Sequence, residues 1–256
     1  MVDSVPSLGD RVLARGEDRQ LYAIRLASSG ADIQEAQALR FIVFNIELNE
    51  GLEKSYATCL DADPFDEVCD HLLVENVQTR EIVGTYRLQT GSKAALNRGF
   101  YSSQEFDFTP YEPLRSELIE LGRACVRRDH RSLAVLGLLW KGIAAYARQR
   151  GGRYLIGCSS LTSQDPVAGA SMYAELSRRH LVRHEFQTQP LDDWACPLDQ
   201  LAETPPKVPK LLAAYLSMGA RICGPPAIDR DFKTIDFLTL MDLKSVPDRI
   251  IERYLS

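Results

Sequence analysis

The chain has 256 residues, which is enough for one large α/β domain or two small ones with a substantial core. Hydrophobic residues make up 45% and charged residues 25%, with a net charge of −5, as in ordinary globular proteins. The longest apolar run, Leu133 to Trp140, is too short to cross a bilayer, and the N-terminus lacks the pattern of a signal peptide. This composition argues against a membrane-spanning chain.

The first half of the chain predicts a sheet built from consecutive strands. A loose arm is expected over residues 1–19, followed by a single domain over 20–256. The acid-rich segment 49–68 has the composition of a mobile loop. Residues 91–116 are expected to be loop-rich. The regular elements predicted here are a strand (21–26), a helix (31–48) and a hairpin (70–75 with 81–88).

The second half adds an alternation of strands and helices. A strand is predicted over 117–126, a helix over 132–149, a strand over 154–158 and a helix over 168–180. An irregular stretch precedes a helix over 208–218 that Gly219 ends. Two short strands over 221–241 and a closing helix around Ile250, Ile251, Tyr254 and Leu255 complete the order. The fold class is therefore α/β in the mixed sense, a twisted mixed sheet with helices on both faces.

The junction between the strand and helix around residue 130 has the features of an anion site. Glu120 lies on the strand, a basic turn follows, and an apolar helix begins after it. Free N–H groups at a helix N-terminus favour a phosphate, and here the predicted ligand is the phosphopantetheine of a thioester donor. The residues predicted to bind it are Arg127, Arg128, Arg131, Leu133, Ala134 and Val135.

A basic cluster surrounds this turn. Residues 123–153 hold eight Lys and Arg against one acid, Asp129. Such a cluster is either a solvated helix face or the docking site of a polyanionic partner. Since no nucleic-acid motif accompanies it, nucleic acid is not expected as the partner.

Four segments, taken in order, resemble a known family. They are residues 39–47, the hairpin from Phe65 to Leu88, the strand 120–126, and the segment 210–236. The chain resembles the GNAT acyltransferase fold, and within it the ornithine N-acyltransferases of ornithine-lipid synthesis and the related acyl-homoserine-lactone synthases. The turn from Arg131 to Leu136 departs from the glycine-rich turn of acetyl-CoA members, which favours acyl carrier protein over coenzyme A.

The resemblance implies an N-acyltransferase that moves a long-chain (3-hydroxy)acyl group from acyl carrier protein to the α-amine of an amino acid, with ornithine favoured. One alternative is an N-acyl amino-acid or acyl-homoserine-lactone synthase. Another is a non-catalytic module that binds an acyl chain. The protein is expected to be cytoplasmic, with possible peripheral contact at the inner membrane face.

Amide formation from a thioester requires a base and a polarised carbonyl. Glu120 is the candidate base, although a buried member of an ion pair is the competing interpretation. Arg123 is its expected partner, and that pairing requires a β-bulge near Gly122 because positions 120 and 123 of a regular strand face opposite sides. By resemblance, Arg40 and Arg87 bind the acceptor carboxylate. Asp70, with Asp61, Asp63 and Asp66, would attract a cationic head.

Other chemistry receives less support from the sequence. The six cysteines are scattered and are predicted to be reduced, and Cys125 and Cys158 have no neighbouring histidine pattern that would make them nucleophiles. His180 and His184 lack a third ligand, so neither a metal nor another cofactor is expected. Two places mix apolar and basic residues and are candidates for membrane contact: 100–108, whose aromatic residues equally fit a core, and 207–215 with Lys210.

Overall fold

The computed structural model describes residues 14–15, 21–247 and 250. Most of the predicted arm and of the predicted closing helix therefore lies outside the described residues. The arm's described part, Ala14–Arg15, pairs with the strand that follows it. None of the helices in the described ranges combines the length and apolarity that a membrane span needs.

The described strands form one mixed sheet. They are β1 (Ala14–Arg15), β2 (Tyr22–Leu26), β3 (Asp70–Asn76), β4 (Ile82–Thr90), β5 (Leu118–Val126), β6 (Tyr154–Leu161), β7 (Arg221–Ile222), β8 (Ala227–Asp229) and β9 (Thr234–Asp242). Their order across the sheet is β1-β2-β3-β4-β5-β6-β9-β7, with β8 also paired to β9. Neighbouring strands are antiparallel except β5 and β6, which are parallel. The predicted hairpin and the predicted parallel pair are confirmed.

The helices begin and end where the sequence supplies caps. They are α1 (Gly30–Phe41), α2 (Gly91–Leu96), α3 (Leu133–Arg150), α4 (Pro166–His180) and α5 (Lys210–Ser217). The Ser29, Ser132 and Asp165 side chains accept hydrogen bonds from N–H groups in the first turns of α1, α3 and α4. Gly151 and Gly219 follow α3 and α5 with positive φ angles, which a glycine adopts without strain.

Helices cover both faces of the sheet, as predicted. On one face, called here the α3 face, α3 and α5 pack in a core that includes Trp140, Ile143 and Tyr215, and α4 packs beside them. On the opposite face, the α1 face, α1 packs on β3 to β5, and residues 91–117 cover the sheet beside it. The two cores are separated by the sheet itself.

Several predictions of local structure need correction. The acid-rich segment 49–68 is not a solvated loop, because Asp61 and Asp66 are buried and the segment contains two short 3-10 turns. Residues 221–242 form three strands where two were predicted. Phe100, Phe106 and Phe108 are buried in the core of the α1 face, so the membrane contact predicted for residues 100–108 is wrong.

Candidate active site

The sheet splits between β5 and β6. The two strands pair only from Leu118 to Glu120 on β5 and from Tyr154 to Ile156 on β6, after which each continues beside a different neighbour. Gly157 lies at the divergence point, where a Cβ atom would be 2.1 Å from the carbonyl oxygen of Leu121. Glycine is therefore required there for the two backbones to approach before they separate.

A cavity of about 690 Å³ occupies the split and receives side chains from both faces of the sheet. On the α1 face its polar half is lined by Arg87, Tyr101, Ser102, Glu120, Arg123, Cys158, Asp229, Phe232 and Asp236. On the α3 face its apolar half is lined by Tyr86, Leu121, Leu136, Leu139, Trp140, Tyr215 and Met241. The split thus connects a charged chamber to an apolar one.

Glu120 is the last residue of β5 that pairs with β6, and its side chain lies in the polar half. Its carboxylate oxygens accept hydrogen bonds from the backbone N–H groups of Tyr101 and Ser102, both at 2.8 Å. Burial raises the pKa of Glu120, and these two hydrogen bonds partly oppose that rise. A buried carboxylate with a raised pKa is a better proton acceptor than an exposed one, which suits the predicted role of base.

The predicted β-bulge is present, but the predicted ion pair is not. The pairing of β5 with β4 shifts between Thr85 and Arg87, and Arg123 adopts a φ of 50°, which turns its side chain into the polar half. Arg123 pairs there with Asp63 at 3.0 Å and with Asp61 at 3.6 Å. Among the described residues Glu120 has no ion pair with Arg123, because the backbone N–H groups already satisfy its carboxylate.

Arg123 also lies between two aromatic rings. Its guanidinium carbon is 4.7 Å from the ring centre of Tyr101 and 4.2 Å from that of Phe232. Cation–π contacts on both sides and an ion pair at the end hold the guanidinium in one orientation. The side chain is therefore preorganised at the wall of the cavity.

Arg40 and Arg87 form a buried charge network with the acids of segment 49–68. Arg40 pairs with Asp61 and Asp66, and Arg87 pairs with Asp63 and Asp66. Burial alone would raise the pKa of Asp66, but the two guanidinium groups hold it well below its usual range.

These two arginines differ in their access to a ligand. Arg87 lines the cavity, whereas the fully buried Arg40 does not line it and supports the network from behind. The structure therefore places Glu120, Arg123 and Arg87 at the wall of one cavity. Arg40 is separated from that cavity and pairs with Asp61 and Asp66.

Asp70 is not part of the cavity wall, contrary to prediction. Its carboxylate accepts a hydrogen bond from the Tyr146 hydroxyl at 2.7 Å and pairs with Lys93 at 2.6 Å. Asp70 is the first residue of β3, and the residue before it, Cys69, lines the cavity. Asp70 and its two partners, Lys93 and Tyr146, therefore all lie outside the cavity wall.

The basic turn lies at one end of the cavity, but only part of it faces the cavity. Arg131, Ser132 and Leu133 line it, and the first N–H groups of α3 have no partner inside the helix. Val135 is instead buried in the core, and the cavity wall does not include Arg127, Arg128 or Ala134. Arg131 pairs with Glu47, and Arg127 pairs with Glu81 and Asp129 on the surface.

Three buried acids that the sequence reasoning missed lie at or next to the polar half. Asp229 and Asp236 line the cavity, whereas Glu105 does not line it but approaches the Cys158 thiol. Burial and the neighbouring carboxyl groups raise the pKa of Glu105 well above its usual value and that of Asp236 to about 6. Glu105 lies more than 100 residues from Asp229 and Asp236 in the sequence, so no local pattern joined the three.

The thiols are not activated for nucleophilic attack. Burial raises the pKa of both Cys125 and Cys158 above the usual value, so each is a protonated thiol near neutral pH. Among the described residues one group of His, Cys, Asp and Glu has donor atoms close enough to hold a metal ion, namely Glu105, Cys158 and Asp236. His180 and His184 do not belong to it.

The comparisons with known proteins agree with this geometry. The model of the acetyltransferase (GNAT) domain matches residues 39–141. FeeM, an N-acyl amino acid synthase from uncultured soil microbes, superposes with a TM-score of 0.54 at 11% identity, covering 90% of this chain and 94% of that one. The AHL synthase LasI gives a TM-score of 0.51 at 10% identity, with 91% and 94% covered. The split sheet and these matches define a GNAT-fold acyltransferase.

Sequence similarity narrows this class further. An L-ornithine N(alpha)-acyltransferase of Brucella abortus (strain 2308) is 34% identical over 246 residues, which cover 90% of this chain and 88% of that protein. A protein of the same name from Rhodobacter capsulatus is 33% identical, with 91% and 94% covered. The chain belongs to the L-ornithine Nα-acyltransferase family.

Proposed function

We propose that the protein transfers a long-chain (3-hydroxy)acyl group from acyl carrier protein to the α-amine of L-ornithine, giving a lyso-ornithine lipid. The acceptor is taken from the names of the similar proteins. The observation that carries the proposal is the position of Glu120 at the split, in one cavity that is lined by charged side chains on the α1 face and by apolar side chains on the α3 face.

The proposed reaction uses groups on both sides of the split. The amino acid lies in the polar half, with its carboxylate toward Arg87 and Arg123. Glu120 accepts a proton from the α-amine, whose nitrogen attacks the thioester carbonyl carbon. The C–S bond then breaks, an amide forms, and the thiolate leaves with a proton that Glu120 can return.

The donor is proposed to enter beside the basic turn. Arg131 and Leu133 lie at the cavity wall, next to the N-terminus of α3, where a single phosphate would find N–H groups and the positive end of the helix dipole. Arg127 and Arg128, outside the cavity wall, are proposed to contact the carrier protein itself. No cofactor is needed for this reaction, because the thioester supplies the activated acyl group.

A peripheral membrane contact is proposed at the same end. Leu48, Leu133 and Leu211 line the cavity, and their side chains are 38–68% exposed. Arg131 and Lys210 are exposed beside them. An exposed apolar group flanked by cations favours reversible binding to an anionic bilayer, to which a single-chain lipid product could be delivered.

The direct test incubates the purified protein with 3-hydroxyacyl-carrier protein, or with the matching acyl-CoA, and a panel of amino acids. Mass spectrometry of the products identifies the acceptor, and fragmentation locates the amide. We expect Nα-acylornithine from the carrier-bound donor. Absence of acylation for every acceptor would overturn the proposed function, and a preference for acyl-CoA would overturn its donor.

A further inference from the structure

The charges of the polar half do not balance without a ligand. Three guanidinium groups, those of Arg40, Arg87 and Arg123, pair with three acids of segment 49–68. Four further buried carboxyl groups near this network, Glu105, Glu120, Asp229 and Asp236, have no ion pair with any described residue, and Glu50 elsewhere on the cavity wall is a fifth. Burying carboxylates without cations is costly, so this end of the cavity favours a positively charged occupant.

Backbone donors satisfy two of these four carboxyl groups. Glu120 accepts from Tyr101 and Ser102, and Asp229 accepts from the N–H groups of Asp231 and Phe232 at 2.9 and 2.8 Å. The other two are Glu105 and Asp236. Asp236 is approached by the Ser160 and Thr234 hydroxyls and Glu105 by the Cys158 thiol, and neither accepts from a backbone N–H in the described part of the chain. They are therefore the candidates for contact with a cation.

Asp236 and Glu105 retain acceptor capacity that the chain does not use. Oδ1 of Asp236 is buried and has no hydrogen-bond partner in the described part of the chain, although Asp236 lines the cavity. Glu105 accepts a contact of 3.8 Å from the Cys158 thiol, which is a weak donor. An unpartnered buried carboxylate oxygen at a cavity wall points to a donor supplied by the ligand.

The spacing of these groups fits one ammonium nitrogen. The donor atoms of Glu105, Cys158 and Asp236 all lie within 4.8 Å of one another. Three atoms within this limit have a common point no more than about 2.8 Å from each, so one ammonium nitrogen can reach all three at hydrogen-bond distance. Cys158 and Asp236 line the cavity with Glu120, and Glu105, which does not line it itself, brings a carboxylate oxygen beside them.

We propose that Glu105 and Asp236 bind the side-chain ammonium of a diamino-acid acceptor and thereby leave its α-amine at Glu120. This assignment rests on the proposed function and adds to it the residues that recognise the second amine. It makes the pair positioning residues that decide which of two amines is acylated. Burial raises the pKa values of both carboxyl groups, as do Asp236 and Asp229 acting on Glu105 and Asp229 acting on Asp236, and a cation bound between Glu105 and Asp236 would offset this cost.

The test compares ornithine with norvaline, which has the same carbon chain and no side-chain amine. We expect Asp236→Asn and Glu105→Gln each to lower kcat/KM for ornithine by about ten- to a hundred-fold, as loss of one charged hydrogen bond predicts. Turnover of norvaline should change by less than about threefold, which also shows that the variants fold. Fragmentation of the ornithine product should reveal amide at the side-chain nitrogen in the variants.

A matched control is Glu50→Gln, since Glu50 is also a buried carboxyl group at the cavity wall but contacts the Thr162 hydroxyl. Its ratio of ornithine to norvaline turnover should equal that of the wild type. Equal losses for both acceptors in Asp236→Asn and Glu105→Gln would overturn the assignment, as would loss of activity on chelation that zinc or manganese restores. If the wild-type protein acylates no amino acid, the proposed function itself fails.

Discussion

Replacing Glu120 with glutamine separates its chemical role from its structural one. In the wild type both carboxylate oxygens accept backbone hydrogen bonds, from Tyr101 and Ser102. Glutamine keeps one oxygen and places an NH₂ group against the other N–H, so one buried donor loses its acceptor. We expect the free energy of unfolding to fall by about 1–3 kcal/mol. For a chain of this size that lowers Tm by about 2–4 °C per kcal/mol.

The expected catalytic effect of Glu120→Gln is larger than this structural cost. Loss of a general base typically lowers turnover by about a hundred- to ten-thousand-fold. The wild-type rate should rise with pH as Glu120 ionises, through a pKa that burial has raised above the usual value for glutamate. The variant should lack that inflection, and its residual rate should follow the fraction of free amine in the acceptor.

The assay combines thermal unfolding with pH–rate profiles of the wild type, Glu120→Gln and the control Glu50→Gln. Burial also raises the pKa of Glu50, but its carboxyl group contacts Thr162 and no backbone N–H of segment 91–117. The control should retain the wild-type inflection. Turnover of Glu120→Gln within about threefold of the wild type, with the inflection intact, would refute a role for Glu120 as the base.

Four further predictions test other parts of the structure. The pKa of Asp236 in the folded state is about 6, above the ordinary 3.8, so folding stability is lost as pH rises between these values. Asp236→Asn should therefore increase the free energy of unfolding more at pH 8 than at pH 4, by up to about 3 kcal/mol, and Tm should rise accordingly. A lower Tm at both pH values would contradict this. Gly157→Ala should force β5 and β6 apart at the Leu121 carbonyl and lower kcat about a hundred-fold or more; wild-type kcat would show that the width of the split is unimportant. Reversing Arg127 and Arg128 to Glu should raise KM for the carrier-bound donor more at low salt than at high salt, and an unchanged KM at low salt would exclude the proposed docking. The protein should float with anionic liposomes at low salt and be released by salt, whereas protein left at the bottom of the gradient would argue against membrane contact at the cavity mouth.

The elements of this fold were largely predictable because their signals are local. The apolar periodicity of α3 and the cap at Ser132 lie within one segment, and the structure confirms both. The β-bulge on β5 was also predicted, since Glu120 and Arg123 cannot share a chamber without it. Local reasoning could not determine the partners of these two residues. Glu120 is bound by backbone N–H groups of segment 91–117, and Arg123 pairs with acids of segment 49–68.

The burial and the partners of the acids could not be predicted from the sequence. Segment 49–68 has the composition of an exposed loop, yet Asp61 and Asp66 are buried because Arg40 and Arg87 approach them from α1 and β4. Asp70 follows the same acid-rich segment in the sequence, but its carboxylate is bound by Lys93 and Tyr146. The sequence around each acid does not distinguish a buried ion pair from an exposed side chain. The fold of the sheet determines which acids face the cavity.

In the proposed reaction the two substrates contact different stretches of the chain, on opposite faces of the split sheet. The walls of the apolar half come largely from α3 and α5, whereas those of the polar half come largely from Tyr101 and Ser102, the bulge of β5 and the segment 229–236. The sheet separates the two sets except at the gap. A change of residue size on α5 can therefore alter the acyl chain that is accepted while the amino acid stays the same. The two selectivities can diverge independently during evolution and can be engineered one at a time.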